Sequence, residues 1–173
     1  MNTTEQQFLQ NVLRNVQPAV AFCEALGRIS QTLDDIVDGD TRVSAGDVIR
    51  SYWEALIELP ENPFYRQNET YLRPLLASAL QDWTDSTVLE RTGQQHDATL
   101  AFVMRDQLAG VVVQCARLVG GYDWMREVGP VIRQYFHDER LHGYLSGLGL
   151  ADAETDGSDP SEPATVACQE SNQ

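Results

Sequence analysis

The sequence predicts an all-α fold: a single-domain helical bundle of five to seven helices over residues 1–150, followed by an acidic, disordered tail over residues 151–173. Three observations carry that prediction. Apolar residues recur at spacings of three and four through most of the first 150 positions, and no stretch alternates with the period of two that a half-buried strand requires. Proline, glycine and short Ser/Thr-to-Asp/Gln pairs fall where helices would start and stop. A chain of 173 residues with 42% apolar content suits one domain with a real core.

Thr3 or Thr4, with Gln6 or Gln7 three residues on, fits a capping box that opens a first helix through about Val16, with Phe8, Val12 and Val16 on one stripe. Pro18 suits the first turn of a second helix, in which Phe22, Leu26, Ile29, Leu33 and Ile36 form the best helical pattern in the chain. Gly39 fits its stop. Ser44 and Asp47 form a second capping box, ahead of Val48, Ile49, Tyr52, Trp53, Leu56 and Ile57. Pro60 ends that helix, and residues 60–65 read as a rigid connector whose Phe64 and Tyr65 pack onto the bundle.

A fourth helix is expected from Tyr71 to Trp83, with Pro74 in its first turn or at a kink. Asp85-Ser86-Thr87 restarts the chain, and a polar link through Gly93-Gln94-Gln95 leads into the longest apolar helix, Leu100 to Val119, closed by Gly120-Gly121. Asp123 can cap a final helix, interrupted at Gly129-Pro130 and continuing through Leu148. The second and fifth major helices are expected at the centre.

The formal net charge is −14, from 26 acidic and 12 basic residues, and every basic residue is Arg. The tail holds −6 of this, with no basic or aromatic residue and with Pro, Ser and Gly throughout, which is the composition of disorder. That leaves −8 on the folded part, so direct binding to nucleic-acid phosphates, which needs a basic face, is not expected. Cys23, Cys115 and Cys168 show no CxxC spacing and read as reduced thiols. With no basic-then-apolar leader and no long apolar run, the expectation is a cytoplasmic protein that does not span a membrane.

The chemically loaded stretch is Leu33-Asp34-Asp35-Ile36-Val37-Asp38-Gly39-Asp40. Asp34 and Asp38 are one helical turn apart with Asp35 beside them, three like charges near the negative end of the helix dipole. Carboxylates at that spacing can hold Mg²⁺, which in turn grips the oxygens of a diphosphate. The plainer reading makes Asp35, Asp38 and Asp40 solvated turn formers and pairs Asp34 with Arg28 or Arg42.

The run from Glu24 to Arg42 resembles the first aspartate-rich region of the polyprenyl diphosphate (isoprenoid) synthases, in which an acidic residue precedes a DDxxD motif on one helix and Arg follows in the next loop. The resemblance implies the all-α isoprenoid-synthase bundle. It assigns Asp34, Asp35 and Asp38 to Mg²⁺ and Arg42 to a diphosphate; Glu24 and Asp40 beside the motif, and Arg105 and Asp106 from elsewhere in the chain, are candidate surrounding groups. It names no catalytic residue. The chain departs from the family in having no second aspartate-rich motif, since Asp106, Asp123 and Asp138 are isolated, and no Lys at all, and it is shorter than the family's usual length. A complete prenyl-transferring enzyme is therefore not expected, and the resemblance leaves open a reduced or dimer-completed relative or a protein that keeps the metal site for another purpose. DDIVDGD, NPFY at 62–65 and Gly120-Gly121 together also resemble small helical accessory proteins of tailed phages, which implies no activity.

Glu139 and His142 have the ExxH spacing of di-iron helices, but with His only at 96, 137 and 142 no second such pair exists. Arg105-Asp106 interrupts the longest apolar helix, either as its polar face or as a buried pair facing the acidic site. Trp53, Trp83 and Trp124, with Phe64, Tyr65 and Tyr135, read as core or as the lining of an apolar pocket. Two functions follow. One is a Mg²⁺-dependent diphosphate-binding protein; the other is a non-catalytic acidic helical protein that docks onto a basic protein partner. A homodimer is compatible with so many apolar stripes.

Overall fold

Two helices begin at side-chain caps that the sequence supplies. In the computed structural model, which describes residues 3–39, 42–137 and 139–151, Ser44 Oγ accepts from the Asp47 amide at 3.2 Å and Asp47 accepts from the Ser44 amide at 3.0 Å. This is the capping box read from the sequence. Asn62 does the same for the longest uninterrupted helix, accepting from the amides of Phe64 and Tyr65 ahead of Pro63.

The elements are α1 (Thr3–Val12), α2 (Gln17–Asp38), α3 (Ala45–Trp53), a π-helical turn (Glu54–Glu58), α4 (Leu59–Glu61), α5 (Pro63–Glu90), α6 (Gln95–Met104), α7 (Gln107–Phe136) and α8 (Leu141–Gly147). Five of these have ten residues or more, and the described residues contain no strand. None of the helices among them is long and apolar enough to cross a membrane. Asp40, Asp138, the Thr3 side chain and the tail from residue 152 lie outside the described part.

The core joins Leu9, Val12 and Leu13 from the first helix and its exit to Phe22 and Cys23 of α2, Phe64, Tyr65 and Leu72 of α5, and Val111, Cys115 and Ile132 of α7. Phe22 stacks on Tyr65 with ring centroids 5.6 Å apart. Burying each such side chain contributes roughly 1.5–3 kcal/mol before entropy is counted. The first half of α2 is buried, but its apolar stripe surfaces along the helix: Leu26, Ile29 and Leu33 are half-buried and Ile36 is exposed. Cys23 and Cys115 meet inside as free thiols, and their hydrogen bond, with burial, pushes the Cys115 thiol well up.

Several boundaries differ from the sequence expectation. The first helix stops at Val12 because Arg14 and Asn15 both take positive φ, which ends the spiral before Val16. The connector at 60–65 is mostly helical, broken only at Asn62, so α5 begins eight residues before Tyr71. It then runs on through Pro74 and Asp85-Ser86-Thr87 without restarting. The long apolar helix is divided at Arg105-Asp106. Its second part does break at Gly121 (φ 82°, ψ −175°), a conformation essentially reserved for glycine. The final helix continues across Pro130 but ends at Phe136, leaving Leu141–Gly147 as a separate short helix.

Helix α3 departs furthest. Trp53, read from the sequence as core or as the lining of an apolar pocket, is exposed together with Ile49, Tyr52, Leu56 and Ile57, and it is Glu54, 4% exposed, that faces inward.

Candidate functional site

A cleft of about 750 Å³ opens between α2, α5 and α7. Its walls are Leu26, Ile29 and Leu33 from the surfacing half of α2, Leu76, Leu80 and Trp83 from α5, and Leu108 and Val112 from α7. Period-3.6 spacing on three helices turns these side chains to one space. The break at Arg105-Asp106 supplies the polar end. The chain turns at these two residues, and both line the cleft beside Asp34 and His137.

Arg105 links the two sides of that end. Its guanidinium lies 3.9 Å from Asp34 Oδ1 and 3.6 Å from Glu90 Oε1, and 5.5 Å from the Tyr144 ring centre. Tyr144 donates its hydroxyl proton to Glu90 Oε1 at 2.5 Å. Burial, and then the hydrogen bond to Glu90, push the Tyr144 phenol well above its usual range, so it remains a donor at any physiological pH. Asp106 Oδ2 is 3.6 Å from His137 Nδ1, and His137 packs edge-on against Phe102 at 4.3 Å. Burial raises the Asp106 pKa above the ordinary carboxylate value, with His137 and Arg133 opposing.

The sequence-named residues divide. Asp34, Arg105 and Asp106 come together at the cleft. Asp35 is turned from it and accepts from Gln31 at 2.9 Å, while Asp38 is exposed on the last turn of α2, which Gly39 closes in a left-handed conformation. Arg42 is exposed beyond that turn and Glu24 is half-buried ten residues before Asp34, about 15 Å along the axis. Neither lines the cleft. Arg28 pairs with Glu54 and not with Asp34. Glu139 and His142 are both exposed. Among the described residues no three His, Cys, Asp or Glu side chains are grouped to hold a metal ion.

Comparison with family models, curated proteins and solved structures finds no match to the chain.

Glu90 and Tyr144 as partners of Arg105, and His137 as the partner of Asp106, carry no signal in the sequence. Glu90 and Tyr144 are 54 residues apart, and nothing local in the sequence pairs them. On the other flank of α2, an open groove of about 1210 Å³ has Arg28, Arg50 and Glu54 in its lining. Glu54 did carry a local signal: Arg50 precedes it by four residues, the spacing of a helical ion pair.

Proposed function

We propose that the protein binds an amphipathic small molecule in the α2–α5–α7 cleft, with a diphosphate head group held through Mg²⁺ at Asp34. The observation that carries this reading is the joining of an apolar cleft to a charged end formed by Asp34, Arg105 and Asp106. The reading keeps the resemblance to a reduced isoprenoid synthase, and it assigns no catalytic residue.

Charge decides how such a head group would enter. Among the described cleft-lining residues Arg105 is the one arginine against Glu5, Asp34, Asp106 and Glu139, so a bare diphosphate meets a net acidic lining. A divalent cation reverses that balance. Mg²⁺ needs no complete protein cage: it commonly takes one or two carboxylates, keeps several waters and accepts the ligand's phosphate oxygens. Asp34, with Asp38 one turn on, would hold it, and its role would be to neutralise and orient the diphosphate. Arg105 would supply a fixed positive contact, and the apolar walls would exclude water from the chain of the ligand.

Calorimetric titration of Mg²⁺ and inorganic diphosphate into the wild type and an Asp34→Asn/Asp38→Asn variant tests this. Diphosphate heat that requires Mg²⁺ and vanishes in a folded double variant is the expected result. Absence of heat with both ligands present overturns it. A second reading, a non-catalytic helical protein that docks onto a macromolecular partner, draws on a different surface, the outward apolar face of α3.

A further inference from the structure

Helix α3 and the π-helical turn that continues it have their polarity reversed relative to a surface helix. The inward side carries Glu54, whose carboxylate is 3.0 Å from Arg28 Nε and 3.1 Å from Arg50 Nη2. The outward side carries Ile49, Tyr52, Trp53, Leu56 and Ile57, which are 71, 66, 53, 66 and 40% exposed. Leaving five large apolar side chains in water is unfavourable, and it is relieved when the outward face has a partner.

We propose that this face is a two-fold interface and that its occupant is the α3 face of a second copy of the chain, lying antiparallel. The positions 49, 52, 53 and 56 are symmetric about a point between Tyr52 and Trp53. An antiparallel copy therefore brings Ile49 of one chain against Leu56 of the other and Tyr52 against Trp53, so one stripe serves both sides, as a closed two-fold contact requires.

The area suffices. The exposed parts of the five side chains amount to roughly 650 Å² per copy, or about 1,300 Å² over the pair, inside the range of about 1,200–2,000 Å² that specific interfaces bury. Two aromatics at the centre are the side chains most often found to dominate such contacts. Charge at the rim is tolerable: Asp47 of one copy falls opposite Glu58 of the other, and Arg50 already holds Glu58 through two bonds of 2.9 Å. The formal charge of −14 on each chain opposes association at long range, so added salt should tighten the dimer. The tail is a poor alternative cover, with six acidic residues and no aromatic.

Sedimentation velocity of the full chain across the micromolar range tests the proposal. The wild type should shift from monomer to dimer with concentration and no further, and the midpoint should fall as salt is raised. Leu56→Asp and Ile49→Asp, both at strongly exposed positions, should each weaken association at least about tenfold with unchanged helical circular dichroism. A wild type that stays monomeric, a series that grows past the dimer, or a dimer that persists in both variants overturns it.

Discussion

Arg28 Nε donates to Glu54 Oε1 at 3.0 Å, joining α2 to the π-helical turn across 26 residues of sequence. Arg50 donates to the same oxygen at 3.1 Å from one turn away. A five-residue turn with the wider π repeat carries Glu54 at its first position, and π-turns inside α-helices commonly mark sites under functional constraint. The two arginines hold the acid on the inward side of α3, opposite the exposed apolar stripe.

Removing that contact should destabilise the fold without abolishing it. Both arginines remain about half exposed, so they return to water when the acid is lost and the large penalty of a stranded buried charge does not apply. Glu54→Ala should cost about 1–3 kcal/mol, from the lost charge-assisted bonds and the vacated space, and Glu54→Gln less. Urea unfolding at neutral pH measures both. A stability unchanged by either substitution would show that the pairing contributes nothing net.

The bend in α7 gives a sharper steric prediction. A Cβ on Gly120 would lie 2.3 Å from Trp124 Cδ1 and 2.7 Å from its Cβ, closer than real side chains approach. Trp124 is itself tied down, donating from its indole to the Val12 carbonyl at 2.9 Å, with the Arg14 guanidinium 4.4 Å from its ring centre. Gly120→Ala must therefore displace the indole or straighten the bend. A loss of about 2–4 kcal/mol is expected, by overpacking and by loss of the indole bond. Gly121→Ala, with open space around it but φ at 82°, should cost about 1–3 kcal/mol from backbone strain alone. Thermal unfolding of the two variants orders these effects, and Gly120→Ala should be the lower-melting one.

What could be read from the sequence was local. The Ser44–Asp47 box, the Gly39 stop, the break at Gly121 and the burial of Phe64 and Tyr65 each follow from residues a few positions apart, because caps and turns are made by neighbours. The orientation of α3 was not legible. Periodicity shows that Ile49, Tyr52, Trp53 and Leu56 share a face, but which way that face points is decided by packing against residues distant in sequence, among them Arg28 of α2. The site was half legible for the same reason. Arg105-Asp106 announced itself as charge inside an apolar run, whereas Glu90 and Tyr144 reach Arg105 only through the packing of α6 and α8 against the end of α5.

Asp106 gives a pH prediction with a definite sign. Its folded pKa is raised above the ordinary 3.8, mainly by burial, so over the interval between the two values the folded chain holds a proton that the unfolded chain has released. Stability from this group is therefore full below the ordinary value and is lost as pH rises through the raised one. Asp106→Asn, neutral at every pH, should be more stable than the wild type near pH 7, and the advantage should shrink on acidification into the carboxylate range. Urea midpoints of both proteins across that range decide it. An advantage that is constant with pH would assign the effect to packing and not to charge.

Trp83 offers the most direct report on the cleft. It is half-buried on α5, and it lines the apolar wall opposite the surfacing half of α2. A ligand whose chain displaces water from Leu26, Ile29 and Leu80 must change the surroundings of this indole, whereas Trp53 faces outward on α3 and Trp124 is held at the α7 bend. Adding a long-chain diphosphate with Mg²⁺ should blue-shift the fluorescence, and Trp83→Phe should remove that response while leaving binding heat in place. Arg105→Gln should act on the other end. It removes the one cation from the polar mouth, leaving Asp34 and Glu90 without their shared partner, so it should lower stability by about 1–2 kcal/mol and weaken the diphosphate about tenfold or more. A fluorescence response that survives Trp83→Phe would place the ligand elsewhere, and an Arg105→Gln protein that binds as tightly as the wild type would remove the guanidinium from the head-group site.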